Sequence, residues 1–310
     1  HIFTLNTVVQ TCREYQKPRY VMFIDYKKAF DSVEYNAVWS SLQEKKVPWQ
    51  ITRVLMDIYS KGQNSILVND MEVEVDVQKG VGQEDTVSPI LFTSTLRSVF
   101  KMLNWDDKGI EINARKLNNL RFADDIVLFS STRYELELMA KELEVASLKV
   151  GLEINASKTV MMNSEGDQSS IRLSAGNVDL VNNFVYLGHC VSIPYEPTTE
   201  IKRRIKCAWG SFAKHSKFLR ARHVHMKHKR KLFNMVILPS FVYASETWAL
   251  HKGDRKSLAV AQRKMERRMA GVTLLDRKSN EWLRNDTKVN DVSVGKRCAV
   301  GKLRGNGIGH

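Results

Sequence analysis

Three carboxylates stand out by where they fall. Asp25 ends the apolar run Tyr20-Val21-Met22-Phe23-Ile24, and Asp124-Asp125 sits between the apolar runs 120–123 and 126–129. Short apolar runs rich in β-formers predict buried strands, so all three acids fall at strand ends. If those ends belong to one sheet, the acids converge. Like charges at close range repel unless a cation neutralises them. Oxygen-only donors suit hard cations, Mg2+ above all. Two such ions about 4 Å apart form the clamp used for in-line phosphoryl transfer. An Asp-Asp pair is also ordinary turn chemistry. What sets this pair apart is Asp25 at a second strand end and a strongly cationic stretch further on.

The elements that must position these acids alternate in type. Residues 34–45 and 49–60 carry apolar side chains at three- and four-residue spacing and predict helices separated by Pro48. Residues 66–68 and the alternation Glu72-Val73-Glu74-Val75-Asp76-Val77 predict a half-exposed hairpin turning at Asn69-Asp70. Ser88-Pro89 suits a helix start, with Ser as cap and Pro in the first turn. Residues 134–150 predict an amphipathic helix closed by Gly151. Short strands are expected at 160–162, 171–173, 178–180 and 184–187. Beyond Pro194 and Pro197 the pattern turns helical, over 199–219, 226–237 and 258–272, with Pro239 dividing the second from 241–250.

Charge divides the chain at the same place. The 310 residues carry 48 Lys plus Arg and 34 Asp plus Glu, a net +14. Residues 1–196 hold 21 basic and 26 acidic residues, and residues 197–310 hold 27 and 8, so the net charges are −5 and +19. Such asymmetry points to a polyanionic partner. From Lys202 to Lys231 there is no acid at all, and Trp209, Phe212 and Phe218 are interleaved with the bases. Helices of this kind track a duplex backbone while the aromatics face their own core. With 43% hydrophobic residues global disorder is excluded. No run approaches about 18 apolar residues, so no membrane helix is expected. No leader follows His1, and Cys12, Cys190, Cys207 and Cys298 lie too far apart for a zinc site or disulfide scaffold, which fits an intracellular location. His223, His225 and His228 lack metal-site spacing and add to the basic surface.

The residues together resemble a known family. Phe23-Ile24-Asp25-Tyr26-Lys27-Lys28-Ala29-Phe30-Asp31 and Phe122-Ala123-Asp124-Asp125 resemble the first and third palm motifs of reverse transcriptases. In matching order, Gly80-Val81-Gly82-Gln83-Glu84-Asp85 with Ser88-Pro89 resembles the second motif. Gly151-Leu152-Glu153-Ile154-Asn155 with Lys158-Thr159 resembles the fourth, and Tyr186-Leu187-Gly188 the primer-grip hairpin. The family most similar is that of non-long-terminal-repeat retrotransposons, and the segments 238–248 and 263–267 are similar to its downstream region. The resemblance covers most of 1–290, and five ordered motifs are far more specific than any one.

The resemblance implies an α+β right-hand polymerase. A palm with partial fingers, built on an antiparallel sheet with packed helices, is expected at 1–196, and a basic helical thumb with trailing region at 197–310. It implies RNA-directed DNA synthesis, with an RNA template, a DNA primer and deoxynucleoside triphosphates as partners and no membrane. Asp25 and Asp124 would hold two Mg2+ ions with Asp125 in support. Lys158 would approach the triphosphate and donate a proton to pyrophosphate. Phe30 would exclude a 2′-hydroxyl, and Tyr26 and Gln83 would line the nucleotide site. Lys202, Arg203, Arg204, Lys206, Lys214 and Lys217 would contact nucleic acid.

The second motif departs from the family's Arg-Gln-Gly-Asp at Gly82 and Glu84. Glu84 adds bulk and negative charge beside expected phosphates, so weak activity or none is expected. Only residues 1–19 precede the first strand, so much of the fingers and the usual endonuclease are expected to be missing, as in a truncated or degenerate copy. Two other readings stay open on the sequence: a non-catalytic nucleic-acid-binding remnant, and an intron maturase-like RNA-binding factor sharing the palm.

Overall fold

The computed structural model describes residues 1–60, 63–68, 71–82, 85–112, 114–248 and 250–292, with the backbone alone at 63–68 and 71–76. The turn expected at Asn69-Asp70, the pair Gln83-Glu84 and the tail from Gly295 lie outside the described residues. The chain begins with α1 (Ile2–Glu14), β1 (Tyr20–Ile24), α2 (Ala29–Ser32), α3 (Tyr35–Glu44) and α4 (Trp49–Ser60). Next come β2 (Gln63–Val68), β3 (Met71–Asp76), α5 (Ser88–Lys101), β4 (Ile110–Ile112), β5 (Arg115–Leu117), β6 (Asn119–Phe122), β7 (Asp125–Ser130) and α6 (Arg133–Leu148). Five strands follow: β8 (Val160–Asn163), β9 (Ile171–Leu173), β10 (Gly176–Leu180), β11 (Asn183–Tyr186) and β12 (His189–Ser192). The remainder is helical: α7 (Pro197–Lys214), α8 (Ser216–Arg220), α9 (Met226–Leu232), α10 (Leu238–Val242), α11 (Lys252–Ala270) and α12 (Asn280–Thr287).

Two compact units emerge. His1 with Val8–Asn182 forms one, and Ile2–Thr7 with the chain from Asn183 onward forms the other. The division falls upstream of the expected 196/197 boundary. The β11–β12 hairpin goes with the helices because Glu200 of α7 accepts the Cys190 N–H at 2.8 Å and Arg203 of α7 donates to the Gly188 carbonyl.

Unit 1 is built on a six-stranded sheet in the order β6-β7-β1-β8-β10-β9. β1 lies in the interior of this sheet, and all five of its residues are buried, which is why it reads as a continuous apolar run rather than an alternating one. It pairs antiparallel with β7, Ile24 opposite Ile126, and with β8, Tyr20 opposite Asn163. The expected antiparallel sheet contains one exception, since β8 and β10 run parallel. Met22, Ile24, Ile126 and Leu128 share a core with Leu91 and Leu96 of α5 and Leu136, Met139 and Leu143 of α6.

Helix ends follow their local chemistry. Thr132 caps α6 by accepting the Glu135 N–H, and Gly151 beyond its end takes φ +83°. At α5 the capping differs from expectation. Ser88 is already helical, and Asp85 accepts the Val87 N–H at 3.1 Å just before the helix. Ser88 instead meets Tyr59 Oη at 3.0 Å and donates to Asp85. Helix α1 and the small β4–β5 hairpin were not evident in the sequence.

Unit 2 packs its helices around Phe212, Phe233, Ile237, Phe241, Leu258 and Met265, with β12 lying against α7. The expected helix 199–219 breaks at His215 into α7 and α8. Pro239 does not divide the chain as expected. A π-helical turn, Phe233–Ile237, joins α9 directly to α10, and Leu238 N–H bonds back to the Phe233 carbonyl. The wider turn accommodates a residue with no N–H and a bulky ring inside a helical run. Among the described residues no helix is long and apolar enough to cross a membrane.

Candidate active site

The register of the sheet brings the three acids to one end. Asp25 immediately follows Ile24, whose partner is Ile126, so it emerges beside Asp125 at the start of β7. Phe122 pairs with Asp125, leaving Ala123-Asp124 as the two-residue turn, with Ala123 at φ +52°. This turn puts Asp124 at the same end of the sheet. Their electrostatics show the proximity. The Asp25 carboxyl is raised above its ordinary value, first by burial and then by Asp124, against the opposing pull of Lys158 and a hydrogen bond from Asn155. Asp125 is exposed as a residue, but partial desolvation of its carboxyl raises it, and Asp124 and Asp25 add to the shift.

The strand end is fastened from the other side by the segment after α6. Asn155 N–H donates to the Asp25 carbonyl at 2.8 Å, and Asp25 N–H to Thr159 Oγ1 at 3.2 Å. Lys27 N–H donates to the Glu153 carbonyl at 2.9 Å, Tyr26 bridges to Ile154, and the Lys27 and Glu153 side chains pair. These bonds carry Lys158 to the acids: its ammonium lies 4.0 Å from Asp25 Oδ2 and its side chain is 70% exposed. Asn155 and Thr159 had no assigned role on the sequence; only their place in the fourth motif marks them.

The second motif is held against the first. Val81 N–H donates to the Phe30 carbonyl at 2.7 Å and Gly80 N–H to the Val33 carbonyl at 2.8 Å. Gly80 has φ +90°, and a Cβ there would lie 2.7 Å from the Asp31 carbonyl oxygen; only glycine permits the approach. Phe30 is part-buried and stacks on Phe92 with ring centroids 4.6 Å apart. Beside this junction is a cavity of about 390 Å³ lined by Tyr35, Tyr59, Lys79 and Asp85 among others. Tyr35 and Tyr59 read as ordinary helix-face aromatics in the sequence, and nothing there shows that they meet. Gln83 and Glu84 lie outside the described residues.

Two expected site residues are placed elsewhere. Tyr26 is buried and its hydroxyl meets Ser147 Oγ at 2.7 Å in the core, which leaves only its backbone at the site. The alternation of β1 continues past Asp25 and turns the next side chain inward. Arg204 is also buried. It pairs with Glu200, donates to the Gly188 carbonyl and covers the Tyr243 ring, so it is not free to meet phosphate. Arg203, part-exposed, bonds the same carbonyl at 2.9 Å. Lys202, Lys206, Lys214 and Lys217 are exposed. Within the basic stretch, Lys229 is buried on the Met269 carbonyl near the end of α11.

The donor set fits a divalent cation in kind: three carboxylates meet at one sheet end, and Asp25 Oδ2 is buried with no hydrogen-bond partner. The ligands are not preassembled, since among the described residues no three such side chains already form a metal-holding group.

Residues 2–191 match the family model described as reverse transcriptase (RNA-dependent DNA polymerase). The chain belongs to this family. Among its relatives, a putative uncharacterized transposon-derived protein of Caenorhabditis elegans is 34% identical over 58% of this chain and 66% of its own. The Pol polyprotein of a type-1 retrotransposable element R2 of Nasonia vitripennis is 26% identical over 77% of this chain and 24% of its own. The chain thus spans less than two thirds of the length of these relatives. Among solved structures, apo telomerase from Candida Tropicalis is similar at 15% identity and a TM-score of 0.49, covering 86% of this chain and 49% of that one.

Proposed function

We propose that the chain is the palm and thumb portion of an RNA-directed DNA polymerase that extends a DNA primer on an RNA template. The observation that carries this is the meeting of Asp25, Asp124 and Asp125 at one sheet end with the Lys158 ammonium 4.0 Å from Asp25. Asp25 and Asp124 would hold two Mg2+ ions, with Asp125 adding charge. Bound Mg2+ supplies Lewis-acid activation of the primer 3′-hydroxyl and stabilises charge on the phosphates. The protein's own groups do the rest. Lys158, with its side chain 70% exposed, would meet an anionic triphosphate and donate a proton to the departing pyrophosphate. Phe30, stacked on Phe92 and part-exposed, would select against a 2′-hydroxyl. Lys202, Lys206, Lys214 and Lys217 supply phosphate contacts whose strength falls with salt.

The sequence Gly82-Gln83-Glu84-Asp85 favours a second reading, a nucleic-acid-binding protein whose catalysis is weak or lost, because a carboxylate replaces the motif's glycine. Primer extension with Mg2+, deoxynucleotides and an RNA template separates the two. Extension that disappears in Asp124→Asn supports the polymerase. Tight duplex binding with no extension, restored by Glu84→Gly, supports the second reading with Glu84 as its cause.

A further inference from the structure

Two adjacent leucines of unit 2 stand in water. Leu274 is 77% exposed and Leu275 91%. They lie in the connection 271–279 between α11 and α12, and that connection is not slack. Gly271 closes α11 at φ +71°, and the Val272 N–H returns to the Arg267 carbonyl at 3.0 Å. Asp276 accepts the Thr273 N–H at 2.6 Å and the Thr273 hydroxyl at 2.8 Å. Arg277 N–H donates to the Leu274 carbonyl at 3.2 Å, which makes 274–277 a hydrogen-bonded turn. Arg267 ties the far side of the loop to α11, donating to the Lys278 carbonyl at 3.1 Å and to Asn280 Oδ1 at 2.9 Å. Ser279 then caps α12 by accepting the Trp282 N–H at 3.0 Å.

Leu274 and Leu275 are therefore the first two residues of a braced turn, and the bracing holds them out of the core. They forgo what burial would give, and a partner that covers them recovers it. Charge indicates which partner. The same connection carries Arg277 and Lys278, both exposed, and Arg268 is exposed in the last turn of α11. Its one acid, Asp276, is engaged by Thr273. The surroundings are those of a chain whose residues 197–310 carry a net +19 and which belongs to a family of nucleic-acid polymerases. Size points the same way. A stable protein interface takes about 800 Å² from each partner, more than a two-leucine tip presents. A base step takes only a small apolar wedge, and leucine is among the side chains that enter there beside arginine and lysine.

We propose that the 271–279 loop is a duplex-distorting site, in which Leu274 and Leu275 enter a groove of a nucleic-acid duplex and unstack a base step while Arg277 and Lys278 meet the flanking phosphates. The proposal needs no catalysis. It rests on nucleic-acid binding by the basic unit, which both readings of the function share. Unstacking costs least where pairing is already disturbed, so a mismatched duplex is the preferred ligand. The leucines carry no charge, so their share of the affinity is independent of salt, whereas the share of Arg277 and Lys278 comes with counterion release.

The test uses the full chain and a short DNA duplex carrying 2-aminopurine at spaced positions, whose fluorescence rises on unstacking. The parent chain should brighten it. Leu274→Ser combined with Leu275→Ser, both at exposed positions, should not. That variant should bind the duplex about tenfold more weakly, part of what covering two leucines gives, with an unchanged slope of affinity against salt, and it should lose the preference for a single mismatch. Arg277→Gln combined with Lys278→Gln should instead flatten the salt slope by about 2. Duplex binding by the parent without brightening, or a leucine variant that matches the parent, overturns the wedge and leaves nucleic-acid binding standing. No duplex binding by the parent defeats both. A leucine variant with intact duplex binding that no longer binds vesicles of anionic phospholipid, or no longer self-associates in sedimentation, overturns the proposal in favour of a membrane or a second copy.

Discussion

Asp25, part-exposed with one buried oxygen, and Glu200, buried, are carboxylates in the two halves of this chain, and their surroundings have opposite character. Asp25 shares its sheet end with two more acids, keeps one buried oxygen without a hydrogen bond, and is raised above its ordinary value. Glu200 meets His189, Arg203, Arg204 and a backbone amide and is lowered. An incomplete cluster of like charges is costly by itself and is offset by a cation from outside. A completed pair needs nothing from outside and fixes geometry instead. The comparison separates residues poised for chemistry from residues that hold a shape, even where both are charged.

The sharpest way to break this contrast is to remove Glu200. Glu200→Ala strands Arg204 with its charge buried, and such losses cost about 3–5 kcal/mol. Urea unfolding should show this, and a cost near that of a surface charge would mean that Arg204 finds another partner. Asp124→Asn should do the reverse. Unfolding should barely change, while primer-extension turnover falls on the order of 100- to 1000-fold, the scale of losing a preorganised electrostatic contact, and duplex affinity holds. Turnover within a few-fold of the parent would remove Asp124 from the chemistry.

Phe30→Val tests a position between these extremes, because Phe30 packs on Phe92 and is part-exposed, and the proposed function gives it a role at the sugar. Discrimination against ribonucleotides should drop about tenfold, in the range that one pocket-shape change commands, with a stability loss of about 1 kcal/mol. A stability loss with no change in sugar preference would make it a core residue only.

The smallest expected effect lies in the pH dependence. Asp25 and Asp125 are raised, so their contribution to stability is full below the unfolded carboxylate value and is lost as pH rises through the raised values. Glu200 is depressed, so its contribution is present above the unfolded value and is lost as pH falls through the depressed one. Unfolding measured from pH 3 to 8 should therefore lose its decline on the rising side in Asp25→Asn and part of its acid loss in Glu200→Gln. The same dependence in both variants would erase the distinction.

Much of this protein was legible in its residues. The buried strand ending at Asp25 and a tight turn between two strands rest on local signals, apolar runs and turn chemistry, that neighbours in the chain supply, although the turn falls on Ala123-Asp124 rather than on Asp124-Asp125; the order of five motifs rests on a resemblance. The charge of 197–310 needed only counting. Other features depend on residues far apart in sequence. Tyr26 and Phe30 look alike as aromatics of one motif, yet Tyr26 is buried with its hydroxyl on Ser147, whereas Phe30 stays part-exposed at the edge of the same core, stacked on Phe92. Pro239 signals a helix end, but the π-helical turn ahead of it lets the run continue. Arg204 is indistinguishable from Lys206 in a list of bases; it is separated by lying one turn from Glu200 on the face of α7 that meets Gly188 and Tyr243. The sequence by itself determined the strand-end acids and the cationic second half, because periodicity and composition act over a few residues, and the family came from the resemblance of its ordered motifs. Tertiary structure alone decided which charges stay available and which are consumed, because burial and pairing are properties of the partners a side chain meets.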